Sequence, residues 1–109
     1  MKLKTNELTG AALDWVVAKC ILLINGDDLD IGFIREYAYT PSTNWAQGGP
    51  IIERERIRLD PRGVWVAGHD SSNDEYSGPT PLIAAMRCYV ASEMGEEVEV
   101  PDELQGEIA

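Results

Sequence analysis

The chain has 109 residues, 44% of them hydrophobic and 26% charged, a balance that suits one compact domain and excludes a disordered chain. Nineteen acidic residues against nine basic ones leave a net charge of −10, a field that repels nucleic-acid backbones and anionic membranes. Two cysteines and one histidine exclude a disulfide scaffold and a His-pair metal site. The longest apolar stretch, Val16 to Ile24, is interrupted by Lys19 and falls far short of a membrane span. Lys2 and Lys4 precede a polar start that lacks the layout of a signal peptide. The expectation is a cytoplasmic protein, residues 1–109 forming a single domain, with free thiols and neither cofactor nor metal.

Taken in chain order, the first element is a helix. Thr5 suits its N-cap and Glu7 its first turn, and Leu8, Ala12, Trp15, Lys19 and Leu22 follow one helical row. Leu13, Val16, Val17, Cys20 and Ile21 widen the apolar surface, so this helix packs on more than one side. Asn25-Gly26 supplies residues that end it. Residues 31 to 39 read as a strand weakened by Gly32. Thr40 to Pro50 has turn chemistry throughout and reads as a loop. Ile51 to Leu59 alternates as a strand, with Ile51, Glu53, Glu55, Ile57 and Leu59 on one face and Ile52, Arg54, Arg56 and Arg58 on the other. Asp60-Pro61-Arg62-Gly63 turns the chain into a second strand at Val64 to Ala67.

His69 to Ser77 reads as a polar loop. The helix after it has the clearest limits: Thr80 caps it, Pro81 fits its first position, and Gly95 stands where a C-terminal cap belongs. Ala84, Ala85, Cys88 and Ala91 let it lie close to a neighbour. Val98 and Val100 alternate with Glu97 and Glu99 in a last short strand before Pro101. The order predicts an α+β fold, two helices packed on a small, mostly antiparallel sheet.

Three blocks carry a resemblance. Leu8 to Lys19, Pro41 to Glu55 and Gly78 to Ser92, the last followed by Gly95 and the Val98 to Leu104 ending, together resemble the phage NinX family of small lambdoid phage and prophage proteins. The Trp45-Ala46-Gln47-Gly48-Gly49-Pro50-Ile51-Ile52-Glu53-Arg54 run is its most specific part. The resemblance implies a phage origin and an accessory role among early or delayed-early genes. It implies no activity and no catalytic residues.

The chemistry-bearing residues are few. His69, near Asp70, Ser71, Ser72 and Asp74, is the one candidate base, with no nucleophile motif around it. Asn25 to Asp30 fails the calcium-loop pattern, because Leu29 and Asp30 fall where an oxygen ligand and glycine belong. Cys20 and Cys88 read as buried packers. Gln47-Gly48-Gly49-Pro50 lacks the Lys-Ser/Thr of a phosphate loop. Arg54, Arg56 and Arg58 would stack along one strand face, either neutralised by carboxylates of neighbouring strands or forming a local anion site. In the second case Tyr39, Asn44, Trp45, Gln47, Gly48 and Gly49 complete a ligand site around a stacking surface. Trp45 itself either plugs the end of the core, the favoured expectation, or stands exposed as a binding anchor. The acidic run Glu93 to Glu107 reads as a solvated face, with attraction of a basic host surface or imitation of a phosphate backbone as the alternatives.

The expected function is a non-catalytic binding module directed at a host protein or a small anionic ligand, with counter-defence as an analogy from gene context. Direct nucleic-acid binding is disfavoured, and a homodimer is a prior expectation. The alternatives are a small hydrolase using His69 and nearby carboxylates, and a recombination-associated factor acting through a protein partner.

Overall fold

The computed structural model describes residues 1–22, 39–70, 72–102 and 104. The expected helix end at Asn25-Gly26, the acidic segment to Asp30 and the strand at 31–39, Tyr39 apart, lie outside the described residues. The elements in chain order are β1 (Lys2–Lys4), a 3-10 turn (Thr5–Glu7), α1 (Gly10–Leu22), α2 (Trp45–Glu55), β2 (Ile57–Arg62), β3 (Val64–His69), β4 (Tyr76–Gly78), α3 (Pro81–Met94) and β5 (Glu97–Glu99). β1 pairs with β5, and β2, β3 and β4 form a three-stranded sheet in that order, every pairing antiparallel. The α+β class stands, and among the described residues it has three helices and two small sheets.

α3 is the centre of the packing. Thr80 Oγ1 accepts the Ile83 N–H at 3.1 Å, Pro81 opens the helix, and the Gly95 N–H closes it on Ala91 O at 2.9 Å. Residues 84–90 are buried without a break, so the helix is enclosed on all sides. α1, α2 and the three-stranded sheet all lie against it. Its small residues permit the close approach: a side chain at Gly78 of β4 would meet Ala84 N at 2.7 Å. Arg87, in the middle of the buried stretch, donates from Nε to Leu8 O at 2.9 Å and from a terminal nitrogen to Ser77 O at 2.7 Å. One guanidinium thus ties the approach to α1 and the strand β4 to α3.

Thr5 does not cap α1. It lies in the 3-10 turn, and its hydroxyl donates to Gly95 O at 2.6 Å. That bond joins the N-terminal segment to the end of α3, and α1 begins later, at Gly10. β1 and β5 then meet with Lys2 opposite Glu99 and Lys4 opposite Glu97, pairs of opposite charge that favour this register.

The largest difference from the sequence reading is at 45–55. Neither a loop nor a strand forms there; the chain is α-helical from Trp45. Asn44 Oδ1 caps Ala46 N at 2.9 Å, and Gly48 and Ile51, at helical spacing, are buried. A side chain at Gly48 would stand 2.5 Å from Pro41 O and 2.7 Å from Leu82 Cδ2, so the glycine allows α2 to reach the first turn of α3. Pro50 is tolerated inside the helix because the carbonyl it cannot engage belongs to Ala46, an exposed residue that water can reach. Arg56 ends the helix in the left-handed conformation at φ 54°. The strand therefore starts only at Ile57. The chain turns back at Gly63, whose φ of +86° suits glycine, and His69 ends β3 while Tyr76 already opens β4.

Replacing Arg87 by Met preserves most of the packing but leaves the Leu8 and Ser77 carbonyls without their guanidinium donor. The expected loss is about 2–4 kcal/mol, read by urea unfolding with unchanged slope.

Candidate functional site

The arginine row expected on one strand face does not exist. Arg54 is on α2, Arg56 is the exposed left-handed residue after it, and Arg58 is on β2. Arg54 Nε pairs with Glu55 at 3.0 Å, and its guanidinium stands 5.8 Å from the Tyr89 ring centroid. Arg58 reaches Glu75 at 3.4 Å and Ser72 O at 3.4 Å. Arg62 bonds Glu75 at 3.1 Å and Asp60 at 3.3 Å. Helix geometry replaces the two-residue repeat, so guanidiniums that alternation would align are spread over two elements. Glu55 of the same helix takes up Arg54, and Glu75, ahead of β4, takes up Arg58 and Arg62.

The remaining residues of the expected ligand site are distributed along α2 and its approach. Tyr39 packs on the core, and burial pushes its phenol up to about 12. Asn44 is the helix cap, Gln47 Oε1 accepts the Thr40 N–H, Gly48 is a packing contact and Gly49 lies beneath the indole of Trp45. Trp45 does not plug the core. It is 54% exposed, at the first position of α2.

Among the described residues, two clefts gather the polar side chains of interest. The larger, about 500 Å³, is lined by Glu55, His69, Ser72, Asp74, Tyr76, Cys88, Ala91, Ser92 and Glu93. Three carboxylates stand in it, and no Lys or Arg belongs to its lining. Within it His69 Nδ1 lies 3.5 Å from Cys88 Sγ, and His69 Nε2 lies 3.8 Å from Glu55 Oε1. The end of β3, the middle of α3 and the end of α2 thus set thiol, imidazole and carboxylate in order. Burial pushes the Cys88 thiol up to about 11, so at neutral pH it is protonated. No described group of His, Cys, Asp and Glu is arranged to hold a metal ion.

The smaller cleft, about 210 Å³, is lined by Ser42, Thr43, Trp45, Thr80, Pro81 and Leu82. It lies where the first residues of α2 and α3 meet. Behind it the buried Asp14 carboxylate accepts the Ser42 N–H at 2.9 Å. Burial raises the Asp14 carboxyl above its ordinary value, opposed by Ser42. Ser42 opposes it with both its hydroxyl and its backbone N–H.

The family profile described as Bacteriophage P22, NinX matches residues 4–93. This chain belongs to that family. The match runs through both clefts and every arginine discussed above, and it supports the reading of a phage accessory protein. No protein of curated function matches the chain. Among the described residues no helix is long and apolar enough to cross a membrane.

Sequence reasoning missed the joining of Cys88 to His69 and Glu55, because helical periodicity marks Cys88 as buried without saying what lies opposite. It missed the Ser42 cleft for a similar reason. The signal for α2 was present as Asn44, a good cap, followed by Gly48 and Ile51 at a spacing of three.

Asp14→Asn tests the buried carboxylate. Because burial lifts the folded pKa above that of a free aspartate, this group favours folding only when protonated, and that contribution fades as pH rises through the folded pKa. Asn keeps an oxygen for the Ser42 N–H. The variant should melt higher than the parent at pH 7, with the gap closing as pH falls toward 4, in thermal scans across that range.

Proposed function

We propose that this member of the family is a non-catalytic phage accessory protein that binds a basic segment of a host protein in the larger cleft. The observation that carries the reading is the lining itself: Glu55, Asp74 and Glu93 around one opening, with no cation among the lining residues, in a chain of net charge −10. A field of that sign steers cationic partners inward and accelerates encounter. The pairing of Arg54, Arg58 and Arg62 with carboxylates of the same chain weakens the competing idea of an anion site built from arginines. Ser72 and Ser92 add hydroxyls that can accept from a guanidinium or ammonium group.

Fluorescence anisotropy with a labelled arginine-rich peptide tests it. Binding should weaken steeply between low and physiological salt. Exchanging Glu55, Asp74 and Glu93 for Gln, Asn and Gln should reduce affinity about tenfold or more. Neutralising Glu7, Glu53 and Glu97 instead changes the net charge equally and should cost far less. Equal losses from both sets would mean that charge alone, and not the cleft, attracts the peptide.

A second reading, a small thiol hydrolase, draws on the Cys88, His69 and Glu55 order. The raised thiol pKa and the mid-helix position of Cys88, remote from a helix N-terminus, weigh against it. Iodoacetamide distinguishes the two. The non-catalytic reading expects Cys88 to resist alkylation in the folded protein at pH 7.5 and to react only in denaturant. Rapid labelling that His69→Ala abolishes would favour the hydrolase.

A further inference from the structure

Glu55 presents its two carboxylate oxygens to two different nitrogen groups. Oε2 pairs with Arg54 Nε at 3.0 Å, and Oε1 stands 3.8 Å from His69 Nε2. The first pair is permanent, because a guanidinium does not lose its proton in a protein. The second becomes an ion pair only when the imidazole is protonated. Both partners are about four-fifths buried, at 21% and 23% exposure, so solvent and salt screen that pair less than one on the open surface. While His69 is neutral, Oε1 is the side of Glu55 left for an incoming cation.

The other groups around the ring are named by element. On α3, Cys88 Sγ lies 3.5 Å from Nδ1, and Glu93 lines the same cleft. Asp70 follows His69 in the chain, Asp74 and Tyr76 line the cleft beyond it, and Arg56 and Arg58 flank Ile57, its partner on β2. Arg58 is engaged by Glu75. The Cys88 thiol, pushed up to about 11, and the Tyr76 phenol, raised mainly by burial, keep their protons through the neutral range. An imidazole is the side chain whose charge ordinarily changes between pH 5 and 8. In the imidazolium both ring nitrogens donate, and the neighbours suit that form: a carboxylate oxygen accepts beside Nε2, and sulfur is a weak acceptor beside Nδ1.

We propose that His69 is a pH switch of the acidic cleft, which releases a basic segment when the imidazole takes up a proton; this rests on the reading of the cleft given above. Protonation acts twice. It sets a positive charge among Glu55, Asp74 and Glu93, and it takes Glu55 Oε1 while Arg54 already holds Oε2, so that carboxylate has no free side for a ligand.

The test is fluorescence anisotropy of a labelled, end-blocked arginine peptide at pH 8.0 and 5.5 and constant ionic strength, since arginine keeps its charge across that range. The parent Kd should rise about tenfold at the lower pH. His69→Gln, which takes up no proton there, should give the same Kd at both. His69→Lys, charged at both, should bind weakly at both. A parent Kd that does not change, or a rise retained in His69→Gln, would overturn the switch and leave the cleft as a binding site. A peptide that binds at neither pH would end the reading of the cleft, and carbon-13 NMR of the full chain then judges the switch alone. The Glu55 carboxyl carbon should move in step with the His69 ring signals in the parent, and that step should vanish in His69→Gln. A Glu55 signal indifferent to His69 would overturn the pairing.

Discussion

Enclosing residues 84–90 of α3 on every side places a guanidinium, Arg87, where water cannot serve its donors freely. Burial lowers its pKa, and the backbone carbonyls of Leu8 and Ser77 answer it with hydrogen bonds. Two segments far apart in sequence are thereby fixed to one helix. Leu8 leads into α1, and Ser77 belongs to β4, the outer strand of the three-stranded sheet. A buried cation held by backbone acceptors leaves little freedom in how these pieces meet, because either carbonyl moving away strands a donor. The glycine at 78 and the alanines at 84 and 85 make the approach short enough for those bonds.

Both clefts follow from that arrangement. The acidic one opens where α2, the end of β3 and the outward residues of α3 fail to close completely, and its character is set by which charges are already spent. Glu75 is engaged by Arg58 and Arg62, and Glu55 by Arg54, so the basic residues of this region are occupied along its margin while Asp74 and Glu93 face the opening. The smaller cleft is made by two helix starts held side by side through Gly48. A methyl group there would separate them.

The Cys88, His69 and Glu55 order shows how geometry and chemistry can diverge. The distances resemble a nucleophile, base and carboxylate, but the thiol is held protonated by burial and sits in mid-helix. Reactive thiols are found where positive charge and water favour the thiolate. Here burial works in the opposite direction.

Local chemistry in the sequence determined the α+β class, both limits of α3 at Thr80-Pro81 and Gly95, the hairpin about Gly63, the last strand and the acidic field. Each of these rests on neighbours within a few residues: a cap, a proline without its N–H, a glycine at positive φ, or a sum of charges. The helix at Trp45–Glu55 was decided by tertiary structure. Trp45 to Pro50 carries turn residues, Ile51 to Glu55 alternates well enough for a strand, and the two glycines and proline disfavour a helix by local measures. Packing Gly48 and Ile51 against Pro41 and α3 outweighed those terms. With that helix went the arginine row, since alignment of Arg54, Arg56 and Arg58 depended on a repeat of two. The meeting of Cys88 with His69, and of Ser42 with two helix ends, was likewise beyond local reading, because periodicity gives the face a residue occupies and not the residue it meets.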